Sequence, residues 1–466
     1  MALVSFEYSL FVLALLPVYY RLSRAGQNTL LLAASLAFCA VADPRSVVLL
    51  AVATLVDFTI GRRLTWSRPD AERRRYLWLS VGFNLLLLGC FKYWDVGARL
   101  VFHGVPSAAP AHPFVPIGLS FYTLARLTHT LDVYFRLLQP CASFSDFALF
   151  TSFFPTLTSG PIERARNFLP QISERRRFDL SRVHAAFWLI LLGLFKKVYV
   201  ADTCAGIVKD YLNLENDPNG AETLLGVYAY AIQLYGDFAG YSDMARGVAR
   251  LFGIDVTQNF RAPYLATSLA DYWKRWHVSL SSFLDDYVFA PTSMALRDFG
   301  TVGIVGATWV TFIASGLWHG TGWTFLAWGG IHAAGLTVYA LTRRFRKKMK
   351  KRVPRGVLGV VSALVTFHYV CFAYVFFRAE SLAAAVTLLG HLGHPYAMTE
   401  NIDDSGQKLA VLATLLLVLD GITWKKDSVF WVFLEPLWLR ALCYAVLLFC
   451  IVRFHAPAEA FVYAQF

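Results

Sequence analysis

Apolar runs of close to 20 residues, set apart by short clusters of Arg and Lys, recur along most of the 466-residue chain. No other feature constrains the fold as strongly, because a helix needs about 20 apolar residues to cross the hydrocarbon core of a bilayer. Candidate spans fall near residues 5–20, 28–43, 46–60, 76–95, 114–135, 184–204, 223–249, 301–318, 322–341, 356–377, 407–422 and 430–452. Composition agrees, with 57% hydrophobic and only 16% charged residues, where a soluble domain carries about a quarter charged. The chain therefore reads as an all-α polytopic integral membrane protein with about 12 transmembrane helices, and residues 1–466 read as one domain. Its first partner is the lipid bilayer.

Lys plus Arg outnumber Asp plus Glu by 43 to 31. The surplus gathers in "GRRLTWSRPDAERRRY" (61–76), "ERARNFLPQISERRR" (163–177), "RRFRKKMKKRVPR" (343–355) and "WKK" (424–426), each of which should face the cytoplasm. The charge thus reports topology, and no nucleic-acid partner is indicated. "SFEYSLFVLALLPVYYRLSR" has its basic residues behind the apolar stretch and shows no small-residue cleavage pattern, so it reads as a retained first span that starts outside. Alternating spans then reach every basic cluster with the right parity only if residues 147–161 and 262–291 do not cross. Both are expected to be re-entrant or interfacial. In the second, Trp273, Trp276, Leu280, Phe283, Leu284 and Tyr287 fall on one helical face and Lys274, His277, Ser281 and Asp285 on another, the pattern of a helix lying in the cytoplasmic interface. The seven cysteines show no CxxC and no Cys/His spacing of the zinc type, so neither a disulfide framework nor a metal site is indicated.

Ionisable side chains inside apolar runs are costly and tend to line a cavity or mark a site. Here they are Asp57, Arg126, His129, Asp132, Asp237, Asp243, His277, His319, His332 and His368. Each has a plain alternative as a buried, hydrogen-bonded contact between helices. His319 stands apart because "GLWHGTGW" (316–323) surrounds it with Gly316, Gly320 and Gly322, which permit close backbone approach or a break between helices. Parity leaves His319 toward the outer ends of its two helices and His277 on the cytoplasmic side. An imidazole with a pKa near neutrality can take a proton from a hydroxyl and return it to a leaving group without a metal.

Four stretches, in order, carry a family resemblance: "PIGLSFYTLARLTHTLDVYFR" (116–136), "FFPTLTSGPIERARNFLPQI" (153–172), "QLYGDFAGYSDMARGVARLFGIDVTQNFRAPYLATSLADYWKRWHVSLSSFLDDYVF" (233–289) and "GLWHGTGWTFLAWGGIHAAGL" (316–336). They resemble the membrane-bound O-acyltransferase (MBOAT) family, and within it the bacterial branch typified by the alginate O-acetyltransferase membrane subunit. "FAYVFFRAESLAAA" (372–385) and "FVYAQF" (461–466) are similar to that branch too, and the motif core is 116–341. The resemblance implies a ring of helices around a central tunnel, with His319 of "WHG" catalytic and His277 of "RWHxS" a second residue of the active channel. Two features depart from the alginate type. "APTSMALRDFG" (290–300) stands where a Pro-Leu-Gly-Gly turn is usual, and together with "TSGPIER" (158–164) it looks more like the teichoic-acid D-alanyl transferase branch.

The expectation is an O-acyltransferase of the bacterial cytoplasmic (inner) membrane. It would pass an acyl group, acetyl foremost, from a cytoplasmic thioester toward hydroxyls of an extracytoplasmic polysaccharide such as alginate. No bound cofactor is expected; the donor would be acetyl-CoA or another acyl thioester, including one on an acyl carrier protein. His319 would act as general base and His277 would position the donor or move a proton. Lys274 and Arg275 would attract an anionic donor, Trp276, Ser281 and Asp285 would line its site, and Trp318 and Trp323 would shape the constriction. Export-side acetyltransferase partner proteins are expected by resemblance. The alternatives are D-alanyl transfer from a carrier-protein thioester to a cell-envelope polymer, and a proton-coupled transporter or flippase.

Overall fold

The computed structural model describes residues 3–101, 114, 116–396, 400–426 and 428–454, so the terminal stretch 461–466 lies outside the described residues. Every regular element among them is helical. Seven helices are long and apolar enough to cross a membrane: Arg24–Ala42, Pro44–Arg63, Leu180–Tyr211, Arg297–His319, Trp323–Leu341, Arg355–Arg378 and Ile402–Lys425. Other expected spans fall short in length, with 16 residues in Phe6–Arg21 and in Leu119–Tyr134 and 17 in Leu437–Arg453. Asp70–Lys92 and Gly220–Leu251 are long enough but less apolar, the latter carrying Asp237 and Asp243. The chain divides into two compact units, Met1–Ile190 with Met244–Thr257, and Leu191–Asp243 with Gln258–Phe466.

In the first unit, successive helices begin at caps that the sequence supplies. Ser5 accepts from the Tyr8 N–H, and Asp43 accepts from the Arg45 N–H with Pro44 in the first turn, where its missing N–H costs no bond. Leu10, Leu13, Val48, Val52, Leu55, Leu79, Leu85 and Leu86 point outward, an apolar exterior that suits lipid and would aggregate in water. Inside, Asp57 pairs with Arg126 at 3.0 Å, both fully buried. Ser80 and Asn84 complete the carboxylate's bonds at 2.6 and 2.9 Å, as a charge in such a place requires. Residues 147–161 form two short helices, Phe144–Ser152 and Phe154–Leu157, of 9 and 4 residues. At about 1.5 Å per residue neither approaches the ~30 Å of a hydrocarbon core. Behind them Glu163, buried, accepts from the Thr257 N–H and hydroxyl at 2.6 and 2.9 Å.

The second unit holds a buried row of ion pairs where the helix Leu180–Leu194 passes into a π-turn, Phe195–Ala201. Lys196 meets Asp243 at 2.7 Å, and Lys197 meets Asp237 at 2.7 Å and Asp202 at 2.8 Å. Tyr235 donates to Asp420 at 2.8 Å. The remaining architecture positions the site: an irregular stretch, 258–299, then the hairpin of helices Gly300–His319 and Trp323–Leu341, then Arg355–Arg378. Val357, Val360, Val361, Leu364 and Val365 of that last helix are exposed and apolar. The protein is a multi-pass membrane protein.

Candidate active site

The face that Lys274, His277, Ser281 and Asp285 were expected to share on one interfacial helix is not formed by one helix. Leu269–Tyr272 and Val278–Leu284 are separate short helices, and between them His277 adopts a left-handed backbone, φ 42° and ψ 54°. That region is sparsely populated by residues other than glycine, although His is among the types enriched there. The break has a non-local cause. The carbonyl of Asn259 accepts from the Val278 N–H at 2.9 Å, and its side-chain oxygen accepts from the Ser279 N–H at 3.2 Å. Its amide in turn donates to the Ser242 hydroxyl at 3.1 Å. Arg261 N–H reaches the Arg275 carbonyl at 3.0 Å, so residues 259–261 hold 275–279 in a turn that no helix can continue.

The turn presents His277 inward, 1% exposed, with its ring 4.6 Å from Phe238 and 6.1 Å from Trp318. Burial alone pushes the imidazole pKa down to about 3, because a low-polarity surround disfavours the charged form. Trp318 also lies 4.9 Å from His319. One indole therefore bridges the two histidines that topology had assigned to opposite sides of the membrane.

His319 is the last residue of its helix, 5% exposed, and Trp328 and Phe377 close around it at 5.0 and 5.3 Å. Glycine sets this arrangement. A Cβ at Gly316 would run into the Phe325 carbonyl, one at Gly329 into the Phe312 carbonyl, and one at Gly320 into the Phe325 ring. The two helices thus touch backbone to backbone, as small residues allow in membranes, and the chain turns sharply after His319.

Beside the turn lies a cavity of about 450 Å³ lined by Trp273, Lys274, Ser281, Asp285, Phe312 and Leu336, among others. The exposed Asp285 carboxyl has its pKa raised by partial burial and by Asp286, with Lys274 opposing. His332 stands against the Trp273 and Phe312 rings, at 4.9 and 5.9 Å from them, and Trp328 connects it to His319 at 4.9 and 5.0 Å. The cavity wall and the general-base candidate thus belong to one cluster of aromatic rings.

Of the residues singled out in the sequence, the structure brings His277, Trp318 and His319 together, and sets Lys274, Ser281 and Asp285 on the cavity. Trp276 sits in an aromatic core with Phe260 and Tyr272 at 5.0 and 5.6 Å. Arg275 is paired with Asp271 at 2.8 Å and stacked on Trp424 at 3.6 Å, so its charge is already matched. Trp323 opens its helix 74% exposed. Most other ionisable residues in apolar runs have structural partners: Asp57 with Arg126, Asp132 with Arg166, Asp237 and Asp243 with lysines, His129 accepting from the Cys141 N–H, and His368 against Tyr228. Asn259 and Trp328 lie within the stretches that carry the family resemblance but were not singled out, and His332 was one of ten ionisable candidates.

The model of the MBOAT, membrane-bound O-acyltransferase family, matches residues 80–377. The chain belongs to that family. The match takes in the first unit's Arg126 and both histidines of the second. Similar proteins include the peptidoglycan O-acetyltransferase of Helicobacter pylori, 31% identical over 422 residues, covering 82% of this chain and 79% of that one. The protein named "Probable alginate O-acetylase AlgI" of Pseudomonas aeruginosa is 33% identical over 390 residues, 82% of this chain and 73% of its own. The teichoic acid D-alanyltransferase of Bacillus subtilis is 27% identical over 345 residues, 71% and 85% of the two chains. This MBOAT protein is an O-acyltransferase, which sets the transporter reading aside.

Proposed function

We propose that this MBOAT enzyme transfers an acetyl group from a cytoplasmic thioester, acetyl-CoA foremost, toward hydroxyls of an extracytoplasmic polysaccharide such as alginate, in the bacterial inner membrane. Export-side acetyltransferase partner proteins complete the delivery. The observation that carries this reading is the ring cluster joining His319 to the cavity wall through Trp328, His332 and Trp273. It sets the base one layer of rings away from the cavity that a thioester would enter past Lys274. A ring of helices around a tunnel, with residues 147–161 and 262–291 dipping in without crossing, belongs to the same reading.

His319 takes the proton of the acceptor hydroxyl as its oxygen attacks the thioester carbonyl, and returns it to the departing thiolate, a role that contributes about 10² to 10⁴ in rate. His277, held neutral by burial, orients the donor. Lys274 attracts the donor's anionic portion within a Debye length, about 8 Å at physiological salt. D-alanyl transfer from a carrier-protein thioester is the second reading, favoured by the helix Ala290–Ala295 that follows "DYVF" in place of a Pro-Leu-Gly-Gly turn.

Incubating the purified full chain in lipid nanodiscs with labelled acetyl-CoA and oligosaccharide acceptors tests the choice. Release of CoA and acetyl transfer, lost in His319→Ala, is the expected result. Turnover of a D-alanyl carrier protein with none of acetyl-CoA would overturn it in favour of the second reading.

A further inference from the structure

His332 is fully buried, and neither ring nitrogen has a hydrogen-bond partner. Five aromatic rings pack on it: Tyr272, Trp273, Phe312, Trp328 and Tyr369. The indole N–H groups of Trp273 and Trp328 are buried without partners as well. Buried polar groups in folded proteins are overwhelmingly paired, so three adjacent rings with four unpaired nitrogens form a polar patch held ready inside an apolar shell. Trp328 touches both His332 and His319, which puts the patch next to the base, and Trp273 lines the cavity.

We propose that His332 and Trp328 form a carbonyl subsite for the acyl group, a deduction that rests on the thioester reading of His319. Imidazole and indole N–H donors suit a carbonyl oxygen, which is uncharged on arrival and becomes an oxyanion in the tetrahedral intermediate. As the acceptor O–H gives its proton to His319, the new C–O bond forms and the C=O π pair moves onto oxygen, where the imidazole and indole N–H groups donate to it. The pair then returns, the C–S bond breaks, and the thiolate takes the proton from His319. Trp273, on the cavity side, directs the carbonyl inward from the entry.

The test uses the full chain in nanodiscs with acetyl-CoA as the probe, comparing His332→Leu and Trp328→Phe with the parent protein. Each variant should lower kcat by about 10² to 10³, the loss associated with one oxyanion donor, while the KM for acetyl-CoA stays within a few-fold. The melting temperature should hold in His332→Leu, whose deleted nitrogens make no hydrogen bond in the resting protein, and should fall in Trp328→Phe only by the small cavity left behind; a packing role would instead make the loss of rate follow the melting temperature. Rates near the parent's, or losses that track the melting temperature, would overturn the subsite. If His332→Leu does not fold, Trp328→Phe, which removes the indole N–H together with part of the ring, decides by whether its loss of rate exceeds what its fall in melting temperature accounts for. A parent protein that does not consume acetyl-CoA overturns the donor reading before any variant is made, so the two failures are distinct.

Discussion

Replacing Asn259 by Ala tests whether the site depends on the turn that holds His277. The side chain is 1% exposed, accepts from the Ser279 N–H and donates to Ser242. Its loss strands a buried N–H, which costs about 1–3 kcal/mol. It also releases a residue held in the left-handed region, itself worth roughly 1–2 kcal/mol of strain. The strain relief offsets much of the lost bond, so the net fall in stability should be small, at most about 2 kcal/mol, a drop of no more than a few degrees in melting temperature. Activity should fall further, by about 10² for a displacement of His277 near 1 Å. Asn259→Asp keeps the acceptor for Ser279 and should recover most of the stability and rate. The assay is acyl transfer alongside thermal unfolding in the same detergent. An Ala variant that loses stability but keeps its kcat would refute the link between the turn and catalysis.

Lys274→Glu should raise the KM for an anionic donor in a salt-dependent way, whereas Arg275→Glu should chiefly lower stability by breaking the Asp271 pair and the Trp424 stack; donor titrations at two salt concentrations separate them. His277, with its pKa pushed down to about 3, stays neutral between pH 5 and 8, so His277→Gln should lower kcat/KM without changing the shape of its pH profile in that range. Because its unfolded pKa lies near 6.5, the residue's linkage contribution to stability is present above that value and is lost as pH falls toward 3; acid titration of unfolding for parent and variant checks this. Asp57→Ala should destabilise the first unit by about 3–5 kcal/mol, since Arg126 is left buried and uncompensated, while Asp57→Leu with Arg126→Met should recover much of the loss in chemical denaturation.

What could be read from the residues was whatever depends on local spacing. Apolar runs and basic clusters gave most of the long helices, and the glycines around His319 announced close backbone approach because a missing Cβ has the same meaning in any context. The break at His277 was hidden. Trp273, Trp276, Leu280 and Phe283 fit a continuous helix, and the group that interrupts it, Asn259, lies outside the helical window. The neutralisation of Arg275 was legible in principle, since Asp271 precedes it by four residues, the spacing of a helical ion pair. No spacing rule could show that His332 keeps both nitrogens unpaired while most ionisable residues like it found partners, because satisfaction depends on what the other helices bring.

Gly316 and Gly329 fix the distance between the two helices that carry His319 and His332. Thr308, Phe289 and Leu336 line the cavity without taking part in that contact. On the proposed reading, room for the acyl group and the placement of the base rest on separate positions, so trimming those three side chains while both glycines stay constant should admit a bulkier acyl group.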